Sequence, residues 1–200
     1  MSLIQTIVNS RLFIWALLAL PSIPMTLGFV SGNADAEGLL HPTGEFAARF
    51  MIIAMIITPF RLMFPKAKFW MWMMRRRRYF GVAAFLYAAF HTLLYIIDMN
   101  SLQLMLDEFW ALGIWTGWAA FAIFIPLAVT SNDTSQRLML SWWKPLQRWV
   151  YPAAVLTLLH WMFVHNEFGP ALVHFLPLAA LELYRVWKTN SNAKSAPAGA

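Results

Sequence analysis

Six mainly apolar stretches, at roughly 12–30, 46–64, 79–97, 111–130, 149–165 and 168–187, take up most of this 200-residue chain. A helix needs about 20 such residues, at 1.5 Å rise each, to cross the hydrocarbon of a bilayer. Hydrophobic residues are 60% of the chain and charged ones 12%, about half the charge usual in soluble domains. A soluble globule of this size has too little interior to hide that much apolar surface, and a disordered chain would not carry it. The sequence therefore predicts an all-α integral membrane protein, a six-transmembrane-helix bundle over 1–188 followed by a disordered polar tail over 189–200. Pro21, Pro24, Pro126 and Pro177 fall inside spans, where neighbouring groups re-satisfy the carbonyls that a proline frees. Ala34-Asp35-Ala36 imitates a signal-cleavage site, but the apolar stretch before it is too long for a signal, so a retained helix is expected.

The connecting segments alternate in charge. After the second stretch come Lys66, Lys68 and Arg75 to Arg78; after the fourth, Arg137, Lys144 and Arg148; after the sixth, Lys188 and Lys194. Segments 31–44, 98–110 and 166–170 hold no Lys or Arg, only acids such as Asp35, Asp98, Glu108 and Glu167. The positive-inside rule then puts both termini in the cytoplasm. Arg75 to Arg78 read as an anchor to anionic lipid headgroups. Trp70, Trp72, Trp142, Trp143 and Trp149 read as the inner aromatic belt, and Trp110, Trp115 and Trp161 as the outer one. The net charge of +6 sits between apolar blocks rather than on a polar face, which excludes nucleic acid as a partner. The chain has no cysteine, so disulfides, Fe–S clusters, thiolate zinc sites and c-type haem attachment are excluded. No Gly-rich phosphate loop occurs.

Ionisable residues inside a span are costly, so each is a candidate functional residue. His41 and His165 fall at the outer interface; His91 and His160 lie well inside the third and fifth stretches. Both of these helices rise from the inner side, and His91 is 13 residues beyond Arg78 as His160 is 13 beyond Gln147. Both imidazoles therefore stand about 20 Å above the inner end. Two histidines at one depth on parallel helices suit the two axial positions of a single haem iron, and His91 and His160 are the expected metal ligands. A hydrogen-bonded core role is the bland alternative. His174, closer to the outer interface, is a weaker competitor. Arg49, one turn into the second stretch, suits a haem propionate, with Glu45 one turn away as its purely structural partner.

The sequence resembles the ferric-reductase-like transmembrane superfamily, and within it the haem-b membrane subunits of periplasmic methionine sulfoxide reductase systems. The likeness covers roughly 38–165 and rests on His41-Pro42-Thr43-Gly44, Ile57-Thr58-Pro59, Arg77-Arg78 with Gly81, Phe90-His91, Ala128-Val129-Thr130-Ser131, Val150-Tyr151 and Leu159-His160-Trp161. It implies that His91 and His160 are the axial ligands of an outer haem b. The family usually has a further histidine 13 residues before the fifth-helix ligand. Here that position is Gln147, and the matching level of the third helix is Arg78. No bis-histidine inner haem can be built from these residues, so one haem b is expected, with Arg78 and Gln147 as donors to a quinone headgroup. The resemblance also admits FMN as a cofactor and implies a periplasmic molybdenum-dependent reductase as electron acceptor. The electron donor is then the quinol pool or a cytoplasmic flavin reductase. Two rival functions stand beside this electron carrier. One is a self-contained haem oxidoreductase acting on superoxide, ferric chelate or quinone; the other is a haem-free transporter or assembly factor.

Overall fold

The computed structural model describes the backbone of residues 3–165 and 168–194, with side chains over 6–164 and 168–192. The predicted interface position of His165, the acid Glu167 and the tail beyond 194 lie outside the described side chains. Eleven helices follow in order: α1 (Leu3–Asn9), α2 (Arg11–Ala19), α3 (Ser22–Val30), α4 (Ala36–Met63), α5 (Lys68–Met99), α6 (Leu102–Glu108), α7 (Leu112–Val129), α8 (Asp133–Met139), α9 (Trp143–Gln147), α10 (Val150–His165) and α11 (Phe168–Lys194), with one 3₁₀ turn, Leu140–Trp142. No strand occurs among the described residues.

Local chemistry sets the helix ends. The Asp35 carboxylate caps α4 by accepting from Gly38 N at 2.9 Å, and Asn132 caps α8 by accepting from Ser135 N at 2.8 Å; each satisfies a first-turn donor that has no intrahelical acceptor. Asn100 ends α5 in the left-handed region, at φ 45°, a conformation Asn tolerates better than most residues. The first apolar stretch is a pair of helices, α2 and α3, bent by 52°. Pro21 supplies no N–H at the break, and the carbonyls there find other donors. Ser22 Oγ donates to Ala19 O at 2.8 Å, and Tyr87 Oη on α5 donates to Leu18 O at 3.1 Å.

Three helices, α4, α5 and α7, are long and apolar enough to cross a membrane, and the bent α2–α3 pair makes four if it is one span. Helix α10 is apolar but short, and α11 carries Glu182, Arg185 and Lys188 within its length. Several helices overrun the stretches expected from hydropathy. Helix α5 starts at Lys68, because Lys, Met and Arg are good helix formers and no breaker interrupts 68–78; α4 starts at Ala36 behind the Asp35 cap and continues through Pro42. Helix α11 runs through Thr189 to Lys194, into the segment expected to be a disordered tail.

Only part of the arginine run faces outward. Arg75 is exposed, whereas Arg76 is buried, its guanidinium 4.2 Å from the Trp72 ring centre and bonded to Asn9 Oδ1 at 2.7 Å. Arg77 donates to Ala54 O of α4 at 2.9 Å. Where water is scarce, a guanidinium gains more from backbone carbonyls and a ring face than from headgroups it cannot reach. Trp161 is likewise buried, at 6% exposure, rather than part of the outer belt.

Helix α4 packs along α5, α7 along α10, and α11 against α4. Alanines fill these crossings: Ala48, Ala83, Ala84, Ala153 and Ala171 are buried to 2% exposure or less. Small residues let helix backbones approach where lipid removes the hydrophobic drive to associate. Leu86, Leu93, Val155, Leu176 and Leu183 point outward, the inverse of a soluble surface and the pattern of a bundle solvated by lipid.

Candidate functional site

The two closest-packed helix pairs each carry one of the span histidines. His91 on α5 and His160 on α10 meet with ring centres 5.8 Å apart and planes at 83°. Each ring is fixed by the helix paired with its own. His91 Nδ1 lies 2.9 Å from Leu40 O of α4, and His160 Nδ1 lies 2.7 Å from Gly113 O of α7. A carbonyl only accepts, so in the neutral ring Nδ1 carries the proton and Nε2 keeps a lone pair. That is the tautomer a metal-ligating imidazole needs.

The same construction appears in both pairs. One turn beyond each accepting carbonyl stands a Thr-Gly dipeptide, Thr43-Gly44 on α4 and Thr116-Gly117 on α7. Both threonines are fully buried. Thr43 Oγ1 donates to Leu39 O at 2.7 Å and lies 3.0 Å from Leu40 O. Thr116 Oγ1 does the same with Leu112 O at 2.6 Å and Gly113 O at 3.0 Å. Each glycine leaves room for its histidine ring. A Cβ at Gly44 would lie 3.1 Å from His91 Nδ1, and one at Gly117 only 2.5 Å from His160 Nδ1.

A cavity of about 110 Å³ adjoins the two imidazoles. Its walls are apolar and include small residues: Gly44, Ala47, Ala88, Gly117 and Ala120. One turn beyond His91, Tyr95 lines this cavity with a buried hydroxyl that has no hydrogen-bond partner among the described residues. A buried unsatisfied hydroxyl costs about 1–3 kcal/mol, which a ligand acceptor would offset. Arg49, expected at a haem propionate, pairs through Nη2 with Glu45 at 2.5 Å and donates from Nε toward His174 Nε2 at 3.4 Å. The Glu45 partnership weighed from sequence is the one the structure makes. His174 packs on Trp161, ring centres 5.2 Å apart, with Nδ1 at 2.8 Å from Pro170 O; it does not line the cavity that His91 and His160 share.

Arg78 and Gln147 come together at a second, larger cavity of about 910 Å³ near the helix ends opposite Tyr95. Its lining includes Arg11, Arg75, Arg77, Lys144 and Arg148, with Asp133 the acid among them. Arg78 pairs with Asp133 at 2.6 Å. That hydrogen bond and the guanidinium's charge hold the Asp133 carboxyl below its ordinary range. Gln147 Nε2 donates to Thr130 Oγ1 at 3.0 Å and to Leu127 O at 3.2 Å.

Equal depth picked out the histidine pair. The residues that sequence reasoning missed are Tyr95, Thr116 and Gly117. For the last two a signal existed, since Thr-Gly recurs on the helix paired with each histidine helix. No group of three or more His, Asp or Glu side chains able to hold a bare metal ion forms among the described residues. Two imidazoles alone suit a metal whose other ligands come from a macrocycle.

The family described as ferric reductase like transmembrane component matches residues 43–158, a segment that contains both imidazole–carbonyl pairs. Relatives of similar length bear the name protein-methionine-sulfoxide reductase heme-binding subunit MsrQ. The protein of that name from Herminiimonas arsenicoxydans is 31% identical over 95% of this chain and 89% of its own. The one from Rhizobium meliloti is 36% identical over 84% and 80%, and that from Rhodospirillum rubrum 34% over 77% and 76%. No solved structure matches. With the family match spanning more than half of its length and these relatives aligned along most of it, the chain belongs to the ferric reductase-like transmembrane family.

Proposed function

We propose that this chain is a haem-b-binding membrane subunit that passes electrons to a methionine sulfoxide reductase. The observation that carries the reading is the His91–His160 pair, with both Nδ1 protons committed to backbone carbonyls. The ring centres stand 5.8 Å apart, close enough that both imidazoles would hold one haem iron between them, where the haem would supply one-electron chemistry. Tyr95 adds an unmet donor in the adjoining cavity. The chain's own contribution is to fix two imidazoles in the ligating tautomer, keep water away with Phe121, Phe124 and Trp161, and offer the Tyr95 hydroxyl to a haem carboxylate.

In this reading the short α10 and the charged α11 complete a six-span bundle, with both termini and the basic cavity on the cytoplasmic side of the bacterial inner membrane. The acceptor is a periplasmic molybdenum enzyme, by likeness to the family. A quinol is the favoured donor, because the inner cavity joins apolar walls to the donors Arg78 and Gln147 at the level where related chains carry a further histidine.

The test is the oxidised and dithionite-reduced spectrum of the purified chain, with a pyridine haemochrome count. Six-coordinate haem b near one per chain is expected. Colourless protein from haem-replete cells overturns the reading, and two haems per chain overturn the quinol assignment. For the donor, Gln147→Leu should keep the haem spectrum while slowing haem reduction by a short-chain quinol about tenfold, the effect of losing one hydrogen bond worth about 1.4 kcal/mol in a binding step. An unchanged rate moves the donor elsewhere.

A further inference from the structure

The paired Thr-Gly construction carries an inference beyond ligation, one that rests on the haem reading above. Leu40 O and Gly113 O each face two side-chain donors. One is the imidazole Nδ1–H, at 2.9 and 2.7 Å; the other is the hydroxyl of the threonine three residues on, at 3.0 Å in both cases. The accepting carbonyl and its histidine are 51 residues apart in one pair and 47 in the other, on helices that pack as α4–α5 and α7–α10. The two halves of the site thus share the carbonyl, imidazole and hydroxyl, and Thr43 Oγ1 also lies 3.4 Å from His91 Nδ1. Core packing alone does not explain that. A buried valine would fill the same volume in each helix without spending a hydroxyl on carbonyls that already have partners.

We propose that Thr43 and Thr116 are paired positioning residues that set the electron-donating strength of the two axial imidazoles. Each hydroxyl has one proton, shared between the carbonyl four residues back, at 2.7 and 2.6 Å, and the carbonyl that faces the imidazole, at 3.0 Å; a carbonyl with a share in that proton is a poorer acceptor for a second donor. Each threonine thus limits how far its carbonyl draws the Nδ1 proton away from the ring. A stronger Nδ1–H···O bond gives the imidazole more anionic character, makes it a better ligand to ferric iron and lowers the potential of the couple. The hydroxyls therefore hold the potential up. Because the two are equivalent by construction, their effects should be similar and should add.

The test uses the full-length, haem-loaded chain with Thr43→Val, Thr116→Val, the double variant, and Thr43→Ser and Thr116→Ser. Each valine variant is expected to titrate at a lower midpoint potential than wild type, the double variant lower still, and the serine variants near wild type. A valine variant that binds haem about tenfold more weakly while its serine counterpart binds normally would overturn the proposal, because the hydroxyl would then be strengthening the ligand rather than restraining it. Unchanged midpoints in both single valine variants at full haem content overturn the proposal, as does equal damage from valine and serine. Wild-type protein without haem would overturn the reading of the site itself, a result distinct from either.

Discussion

If His91 and His160 hold the haem as proposed, His160→Ala is expected to abolish its low-spin, six-coordinate spectrum, and His91→Ala to do the same. Each imidazole is held by a short bond from Nδ1 to the backbone of the neighbouring helix, and among the described residues the one further imidazole that lines the cavity they share is that of His41, which is exposed. Losing one axial ligand leaves a five-coordinate iron and a methyl-lined gap, so haem content should fall by about 10-fold or more after purification. Imidazole added to the growth medium should partly restore the six-coordinate form by occupying that gap. His174→Ala is the contrasting variant. Its ring stacks on Trp161 and its two nitrogens face Pro170 O and Arg49 Nε, so the spectrum should keep its six-coordinate form. Reduced-minus-oxidised spectra with haemochrome counts decide the matter. Loss of six-coordination in His174→Ala, with retention in His160→Ala, would transfer ligation to α11.

Depth arithmetic found the pair because it depends only on helical rise and on where two helices enter the membrane, and both can be counted along a sequence. The same arithmetic placed Arg78 and Gln147 at one level, and they line one cavity. What counting could not supply is direction around the helix axis. Arg76 and Arg77 were read with their neighbours as lipid-facing, yet they turn inward to Asn9 and to the carbonyl of Ala54. Trp161 was assigned to the interface by its position near a span end, but the rotation that aims His160 at His91 leaves the next residue wedged beside His174. Tyr95 gave no signal at all. Tyrosine near a span end is ordinary, and only the packing around its oxygen marks it. Arg49 was legible as a span charge with two candidate partners, and the choice of Glu45 came from side-chain reach that periodicity does not specify.

Gly117→Ala should cost far more than Gly44→Ala, although both change one hydrogen for a methyl beneath a histidine ring. At Gly44 the added carbon would sit 3.1 Å from His91 Nδ1 and 3.2 Å from Cε1, a contact that a shift of a few tenths of an ångström relieves. Alanine also gains about 0.5–1 kcal/mol over glycine within a helix, so this variant should be near neutral in stability and lose under about threefold in haem affinity. At Gly117 the carbon would lie 2.5 Å from His160 Nδ1 and 2.8 Å from Cε1, and neither partner can withdraw easily. Helices α7 and α10 already touch at Gly113, where a Cβ would lie 2.9 Å from the backbone nitrogen of Val164. The ring must therefore swing and give up its 2.7 Å bond to Gly113 O, leaving a buried donor unpaired at a cost of about 1–3 kcal/mol. Since that bond also fixes the tautomer, the expected loss in haem affinity is about 10–100-fold, measured by titrating haem into haem-depleted protein. Thermal unfolding in detergent separates the causes: Gly117→Ala should unfold below the wild type when both lack haem, by the lost bond, and further below it when both are loaded. Equal affinities for the two alanine variants would mean that the α7–α10 spacing adapts as freely as that of α4–α5. His160 would then owe its orientation to the iron rather than to the carbonyl of Gly113.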